Sequence, residues 1–245
     1  MSPKSITFDW YNKGIHLYWH EKYEKAIKCF DKFIEIHPND FASWVWKGVV
    51  FAKLERYDEA IKCYDAATRI DPENYDVWYK KSVMLNKLKR YDDAIKCLDE
   101  IIRIKPNKTF AWNSKGIFLC RLEKYEEAVK CYDEAIRLDP GDASAMDYKG
   151  HSLYSLEKYD DAIKCFDIAI SIDPYNDDVW NKKGVVLSKL ENYEEAIICY
   201  DTAIMINSVN VRAINNKGFA LGKLEKHDEA MQCYDEAIEI DPEMH

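Results

Sequence analysis

Glycine and proline are scarce in this chain, 8 and 7 in 245 residues, too few for a collagen-like or Gly/Pro-rich disordered polypeptide. Long hydrophobic runs are missing as well. Nothing approaches the roughly 18 consecutive apolar residues of a spanning helix, so no membrane segment is expected. The first residues, Met1 to Thr7, hold no charged stretch followed by an apolar one, which argues against a secretory signal. Positive charge is in deficit: 35 basic side chains face 44 acidic ones, a formal charge of −9, the wrong sign for a nucleic-acid surface. There is no C-x-x-C pair, glycine-rich phosphate loop, serine or cysteine nucleophile motif, or H-E-x-x-H. These absences argue against an enzyme, a cofactor and a metal centre. With 47% apolar residues, a soluble, cytoplasmic, well-ordered protein of one or two domains is expected.

What is present is a period. Pro38, Pro72, Pro106, Pro140 and Pro174 follow at steps of 34, and Pro242 lies two steps further, with Ser208 at the skipped place. Cysteines 29, 63, 97, 131, 165, 199 and 233 keep the same step. So do lysines 13, 47, 81, 115, 149, 183 and 217, each followed by glycine except before Ser82. The frame divides the chain into seven repeats of 34: 7–40, 41–74, 75–108, 109–142, 143–176, 177–210 and 211–244. A fixed period of this length signals a repeat architecture.

Each repeat reads as two helices. Trp44, Gly48, Phe51 and Leu54 recur at spacings of 3 and 4, one stripe of a first helix. Ala60, Cys63, Tyr64 and Ala67 give the stripe of a second helix. Proline closes each unit because it cannot continue a helix, and Asn39, Asn74, Asp142 and Asn176 are placed to cap the next one. Acids such as Asp58 and Glu59 fall in the first turn of the second helix, where the helix dipole favours them. Lysine follows four residues after the first acid in five repeats, as in Asp92 with Lys96 and Asp160 with Lys164, which predicts pairs on a solvated face.

The pattern resembles the tetratricopeptide repeat, W-x2-L-G-x2-Y followed by A-x3-F, A and P. Repeat four shows it in Trp112, Lys115-Gly116, Leu119, Tyr125, Ala128, Tyr132, Ala135 and Pro140. The resemblance implies an all-α, right-handed superhelical solenoid of seven helix-turn-helix repeats, about 14 helices, running as one domain through 1–245 and stabilised by nearest-neighbour stacking. Departures from the pattern carry expectations of their own. The lysine before the glycine is expected to lay its stem along the core and keep its head in water. Met146 and Ile214 replace tryptophan, and Phe33 and Ile101 replace a small alanine. Ser208 in place of proline makes the joint between repeats six and seven a candidate soft point.

Seven of the eight cysteines share one repeat position inside the apolar stripe of the second helix and read as buried, reduced thiols. Cys120 falls out of register on a first helix and is the thiol to test for reactivity. His16 and His20, four apart, could in principle meet over a metal, but no third ligand accompanies them beyond Glu21. A terminal repeat with a polar outer face explains them better.

The resemblance also implies where a ligand lies: a concave surface contacted by first-helix positions 2, 5, 6, 9, 12 and 13. Those positions give Phe8, Tyr11, Ile15, Tyr18, Trp46, Val49, Lys53, Tyr79, Val83, Lys87, Asn113, Ile117 and Arg121, then Tyr148, His151, Tyr154, Lys182 and Val185. Position 9 is never asparagine, so the carboxylate clamp of one family variant is not present. An aromatic and aliphatic floor with a basic edge suits a protein or peptide partner with apolar anchors and some acids. A second expectation is self-association, a homo-oligomer stacking through the face of repeat seven that carries Met231, Tyr234 and Ile238.

Overall fold

The computed structural model describes the backbone of residues 3–242 and the side chains of residues 10–242; Phe8, among the expected groove positions, lies outside the described side chains. The described residues form fourteen α-helices and no strand. The first helices of the repeats are α1 (Pro3–Trp19), α3 (Phe41–Lys53), α5 (Tyr75–Lys87), α7 (Thr109–Arg121), α9 (Ala143–Ser155), α11 (Asp177–Lys189) and α13 (Val211–Lys223). The second helices are α2 (Tyr23–Ile36), α4 (Tyr57–Ile70), α6 (Tyr91–Ile104), α8 (Tyr125–Leu138), α10 (Tyr159–Ile172), α12 (Tyr193–Ile206) and α14 (His227–Ile240). The helices group into two compact units, one through Leu122 and one from Glu123, so the two helices of repeat four fall one in each. Within each unit, every helix packs on the next in sequence.

Local chemistry sets the boundaries. Asp40, Asp142, Asn176 and Asn210 accept hydrogen bonds from the backbone N–H groups of Ser43, Ala145, Val179 and Ala213, three residues on. Asn39 is not a cap, since Asp40 takes that place, and the Asn74 amide turns to Asp71 instead. Each first helix ends on a left-handed residue at one repeated position: Glu21, Glu55, Lys89, Glu123, Glu157, Glu191 and Glu225 have φ between 56° and 61°. At the second turn this lets Arg56 N–H reach back to the Phe51 carbonyl at 3.0 Å, the six-to-one closure that ends a helix. No glycine occupies these positions, so each costs on the order of 1–2 kcal/mol in local strain.

The repeated glycine is required by the core, not by the turn. A Cβ on Gly48 would stand 2.5 Å from the Tyr64 ring, and on Gly150 and Gly184 it would stand 2.7 and 2.5 Å from Phe166 and Tyr200. Those rings are essentially fully buried. Repeat three, which has Ser82, carries Leu98 where the others carry a ring, and both are buried. The glycine and the ring are therefore one packing solution, exchanged together.

The conserved-frame lysine does not simply point to water. Lys47, Lys81, Lys115, Lys149, Lys183 and Lys217 each reach the aspartate of the preceding repeat (Asp31, Asp65, Asp99, Asp133, Asp167 and Asp201) at 2.5–2.6 Å. One ion pair thus crosses every joint, contributing about 0.2–1 kcal/mol. Second-helix charges differ from expectation too: Lys96 and Lys164 close on Asp93 and Asp161, three residues away, while Arg56 and Arg90 reach Glu24 and Asp58 of the preceding repeat.

Tryptophan fixes the inter-repeat turn. The indole N–H groups of Trp44, Trp78, Trp112 and Trp180 donate to the carbonyls of Pro38, Pro72, Pro106 and Pro174 at 2.8–3.0 Å. The joint at Ser208 lacks both partners, but it is not untied. Asp177 accepts from Asn207 at 2.8 Å and from Asn210 at 2.7 Å, anchoring that turn to the start of α11, the first helix of repeat six.

Candidate functional site

The first helices expose one stripe of side chains in each unit because their opposite stripe carries the core glycine and leucine. In the first unit the expected residues converge. The Tyr11 ring meets Phe30 at 6.2 Å and Phe33 at 5.6 Å, and its hydroxyl is hydrogen-bonded by Trp46. Partial burial, with Asp40 nearby, raises the Tyr11 pKa. Tyr18 packs edge-on to Trp46 at 5.5 Å, and both join Ile15 at the edge of the first core cluster. Val49, Ala52, Lys53, Tyr64, Tyr79, Lys80, Val83 and Met84 surround an open cavity of about 440 Å³ between repeats two and three. Tyr79 also stands edge-on to Phe110 at 5.1 Å. Lys53 is exposed and Lys80 half-buried, and neither makes an ion pair among the described residues. Lys87 is exposed, Asn113 half-buried, and Ile117 packs on the second core cluster. Arg121 is held across the joint, its guanidinium 5.5 Å above the Tyr91 ring and donating to the Tyr91 hydroxyl at 3.4 Å.

In the second unit the same positions are differently wired. Tyr148 stacks on Tyr132 at 5.9 Å, and Tyr154 lies 5.8 Å from Tyr159. The Lys182 ammonium donates to both oxygens of Asp147, at 2.8 and 3.0 Å, and lies 2.8 Å from Asp178. Burial alone would depress this ammonium, but bonds to the two carboxylates outweigh it and raise its pKa. His151 keeps part of its ring in solvent; desolvation of the rest and then the Lys182 charge lower its pKa. One repeat on, Asn216 donates to Asn181 at 2.8 Å, so positions 5 and 6 clasp hands across consecutive joints. Val185, Ser188, Lys189, Tyr200, Asn216, Phe219 and Lys223 line a cavity of about 350 Å³ between repeats six and seven. Sequence reasoning missed Asp147 and Asp178 as members of these surfaces. Their repeat positions were legible, but their pairing was not.

Cysteine chemistry is muted. All eight are free thiols, seven of them buried, and burial pushes Cys63 up to about 12 and Cys97 and Cys199 up to about 11. A thiol held protonated is inert as a nucleophile. Cys120 alone is half-exposed. Among the described residues no group of three or more His, Cys, Asp or Glu side chains could hold a metal, and no helix is long and apolar enough to cross a membrane.

Family comparisons decide what the helix pairs are. A tetratricopeptide repeat model matches residues 109–142 and 211–244, and further models described as TPR repeat and tetratricopeptide repeat match 150–191 and 177–210. This chain belongs to the tetratricopeptide repeat family. Residues 19–101 of this tetratricopeptide protein are also similar to the anaphase-promoting complex, cyclosome, subunit 3 family. Among solved structures it resembles the C-terminal part of a TPR repeat-containing protein from Cytophaga hutchinsonii, at 14% identity and a TM-score of 0.77, covering 95% of this chain and 96% of that one. It also resembles YrrB, described as a TPR protein with an unusual peptide-binding site, at 23% identity and a TM-score of 0.65 over 77% of this chain and 97% of that one. MamA from Desulfovibrio magneticus is similar at 19% identity and 0.65 over 69% and 96%. No curated protein matches the sequence.

Proposed function

We propose that this tetratricopeptide repeat protein is a non-enzymatic interaction scaffold that binds a peptide or helical segment of a partner protein along the first-helix stripe. The cavity between repeats two and three carries the reading: an apolar floor of Val49, Tyr79 and Val83 lies beside two lysines, Lys53 and Lys80, that make no ion pair among the described residues. A partner side chain buried there removes apolar area from water at about 25 cal/mol per Å². An adjacent partner carboxylate would meet an ammonium without displacing an existing ion pair. YrrB, a structure with the same fold, is described as having a peptide-binding site, so a peptide is within the fold's reach. Seven buried free thiols suit a reducing compartment, which supports a cytoplasmic location.

Replacing Tyr79 and Tyr154 by alanine tests this reading. Capture of partners by the intact protein should fall while helicity measured by circular dichroism stays unchanged; equal capture by both proteins would remove the groove. A second reading, self-association through Met231, Tyr234 and Ile238, is favoured by the exposure of Met231 and Ile238. Sedimentation over a concentration series tests it, since a protein that stays monomeric at high concentration does not stack.

A further inference from the structure

Six joints show what the second helix of a repeat is built to touch. Its repeat positions 21 and 28 carry Ile27 and Ile34, 7% and 8% exposed, in repeat one, and no counterpart through repeat six is exposed. Ile197 and Ile204 of repeat six pack on a cluster containing Ile214 and Leu221 of repeat seven, so this face belongs to the following repeat. Its aspartate receives the following repeat's lysine in all six joints. On α14 the same face is complete and uncovered. Met231 and Ile238 are 61% and 58% exposed, and Asp235, exposed, has no lysine among the described residues. The helix carries five acids and no lysine or arginine.

The covering stripe is equally well defined. Positions 3, 7, 10 and 14 of the first helices in repeats two to seven read as Ser43, Lys47, Val50, Leu54 in one case and Val179, Lys183, Val186, Leu190 in another. The pattern is small or apolar, lysine, apolar (Ser152 in repeat five), leucine. Repeat one departs from it. Lys13 keeps the lysine, but His16 and His20 stand at positions 10 and 14, both exposed, with their Nε2 atoms 3.1 Å apart. A second copy docking head to tail would bury Met231 and Ile238 against two imidazoles and strip those of water. Two copies meeting through α14 would bring two helices of five acids each, with no lysine or arginine, against one another.

We propose that the α14 face binds an amphipathic helix of another protein, with an apolar stripe interrupted by one lysine that pairs with Asp235. The internal joints supply the register: the lysine at position 7 lies three residues before position 10 and seven before the leucine at position 14. This surface is separate from the first-helix stripe, so it does not depend on the groove reading.

The test uses the full chain and a synthetic peptide of residues 176–190, constrained as a helix, which carries the covering stripe of repeat six. Fluorescence anisotropy should show saturable binding. Met231→Glu with Ile238→Glu, both exposed and tolerable to the fold, should weaken it at least tenfold, and Asp235→Lys should do the same. A peptide with Lys183→Asp should bind Asp235→Lys better than it binds the unaltered chain. No saturable binding, or binding lost with Tyr79→Ala and kept with the α14 changes, would overturn the proposal. So would a dimer in sedimentation abolished by the α14 changes, because a second copy would then cover the face.

Discussion

Between repeats two and three, Lys53 and Lys80 flank an apolar cavity and keep their charges free of internal ion pairs among the described residues. Between repeats five and six, the counterpart of Lys53 is Ser155, and the counterpart of Lys80 is Lys182, clasped by Asp147 and Asp178. Asp76 stands where Asp178 does, so the residue that separates the two joints is Asp147, whose counterpart in repeat two is Val45. The helices, left-handed turns and Lys–Asp pairs are the same in both places. One frame thus holds two electrostatic surfaces, and a single side chain at position 5 decides whether a lysine at position 6 faces a ligand or its own protein.

The largest effects should come from breaking the shared frame. Gly48→Ser drives a Cβ to 2.5 Å from the buried Tyr64 ring, and overpacking of this kind costs about 1–3 kcal/mol. Tyr64→Leu alone leaves a cavity and also destabilises. Together the two changes reproduce the Ser82 and Leu98 pair of repeat three, so the double variant should lose about 1–3 kcal/mol less than the two single losses combined. Chemical denaturation of the four proteins measures this coupling. Strict additivity would show that the glycine answers to something other than the ring.

The comparison itself is sharpened by removing its deciding residue. Asp147→Asn leaves Lys182 with Asp178 as its one carboxylate, and the half-buried ammonium should give up about 1 kcal/mol of stability. Val45→Asp is the reciprocal change and should draw Lys80 inward. An NMR titration of the lysine ammonium groups, or the shift in denaturation midpoint, reads both; an Asp147→Asn protein as stable as the parent would mean that the clasp is only a surface contact.

The frame was legible in the sequence because it repeats. Six prolines, seven cysteines and seven lysines in register fixed helix type, helix count and the buried stripe, since periodicities of 3 and 4 have one solution on a helix. The Gly–ring exchange was also in plain view at Ser82 and Leu98, and went unread only because the two lie 16 residues apart on different helices. What the period could not show was pairing between repeats. Lys47 and Asp31 are visible as two separate columns, but whether an ammonium meets water or the previous repeat depends on the angle at which helices stack. The same holds for the groove. Lys182 was expected to line the groove, and geometry gives it to Asp147. Arg121 likewise leans on Tyr91 rather than standing free.

The smallest expected effect separates the two joints by pH. His151 lies at position 9 beside Lys182, where repeats two and three have Val49 and Val83. Desolvation, and then the Lys182 ammonium, lower its pKa, while Asp147 and Asp178 act in the opposite direction. A histidine held below its unfolded value, about 6.5, binds fewer protons in the folded chain than in the unfolded one. Its contribution to stability is therefore complete above pH about 6.5 and is lost as pH falls through the folded pKa. Because part of the ring is in solvent, the loss should be smaller than either effect above. His151→Gln should flatten stability between pH 7 and 5 relative to the parent. Lys182→Met should raise the His151 midpoint followed by NMR, and Asp147→Asn should lower it, since one substitution removes a repelling charge and the other a stabilising one. A His151 midpoint that ignores both substitutions would mean that the ring does not sense the clasp, and that the two joints differ in charge without differing in their response to acid.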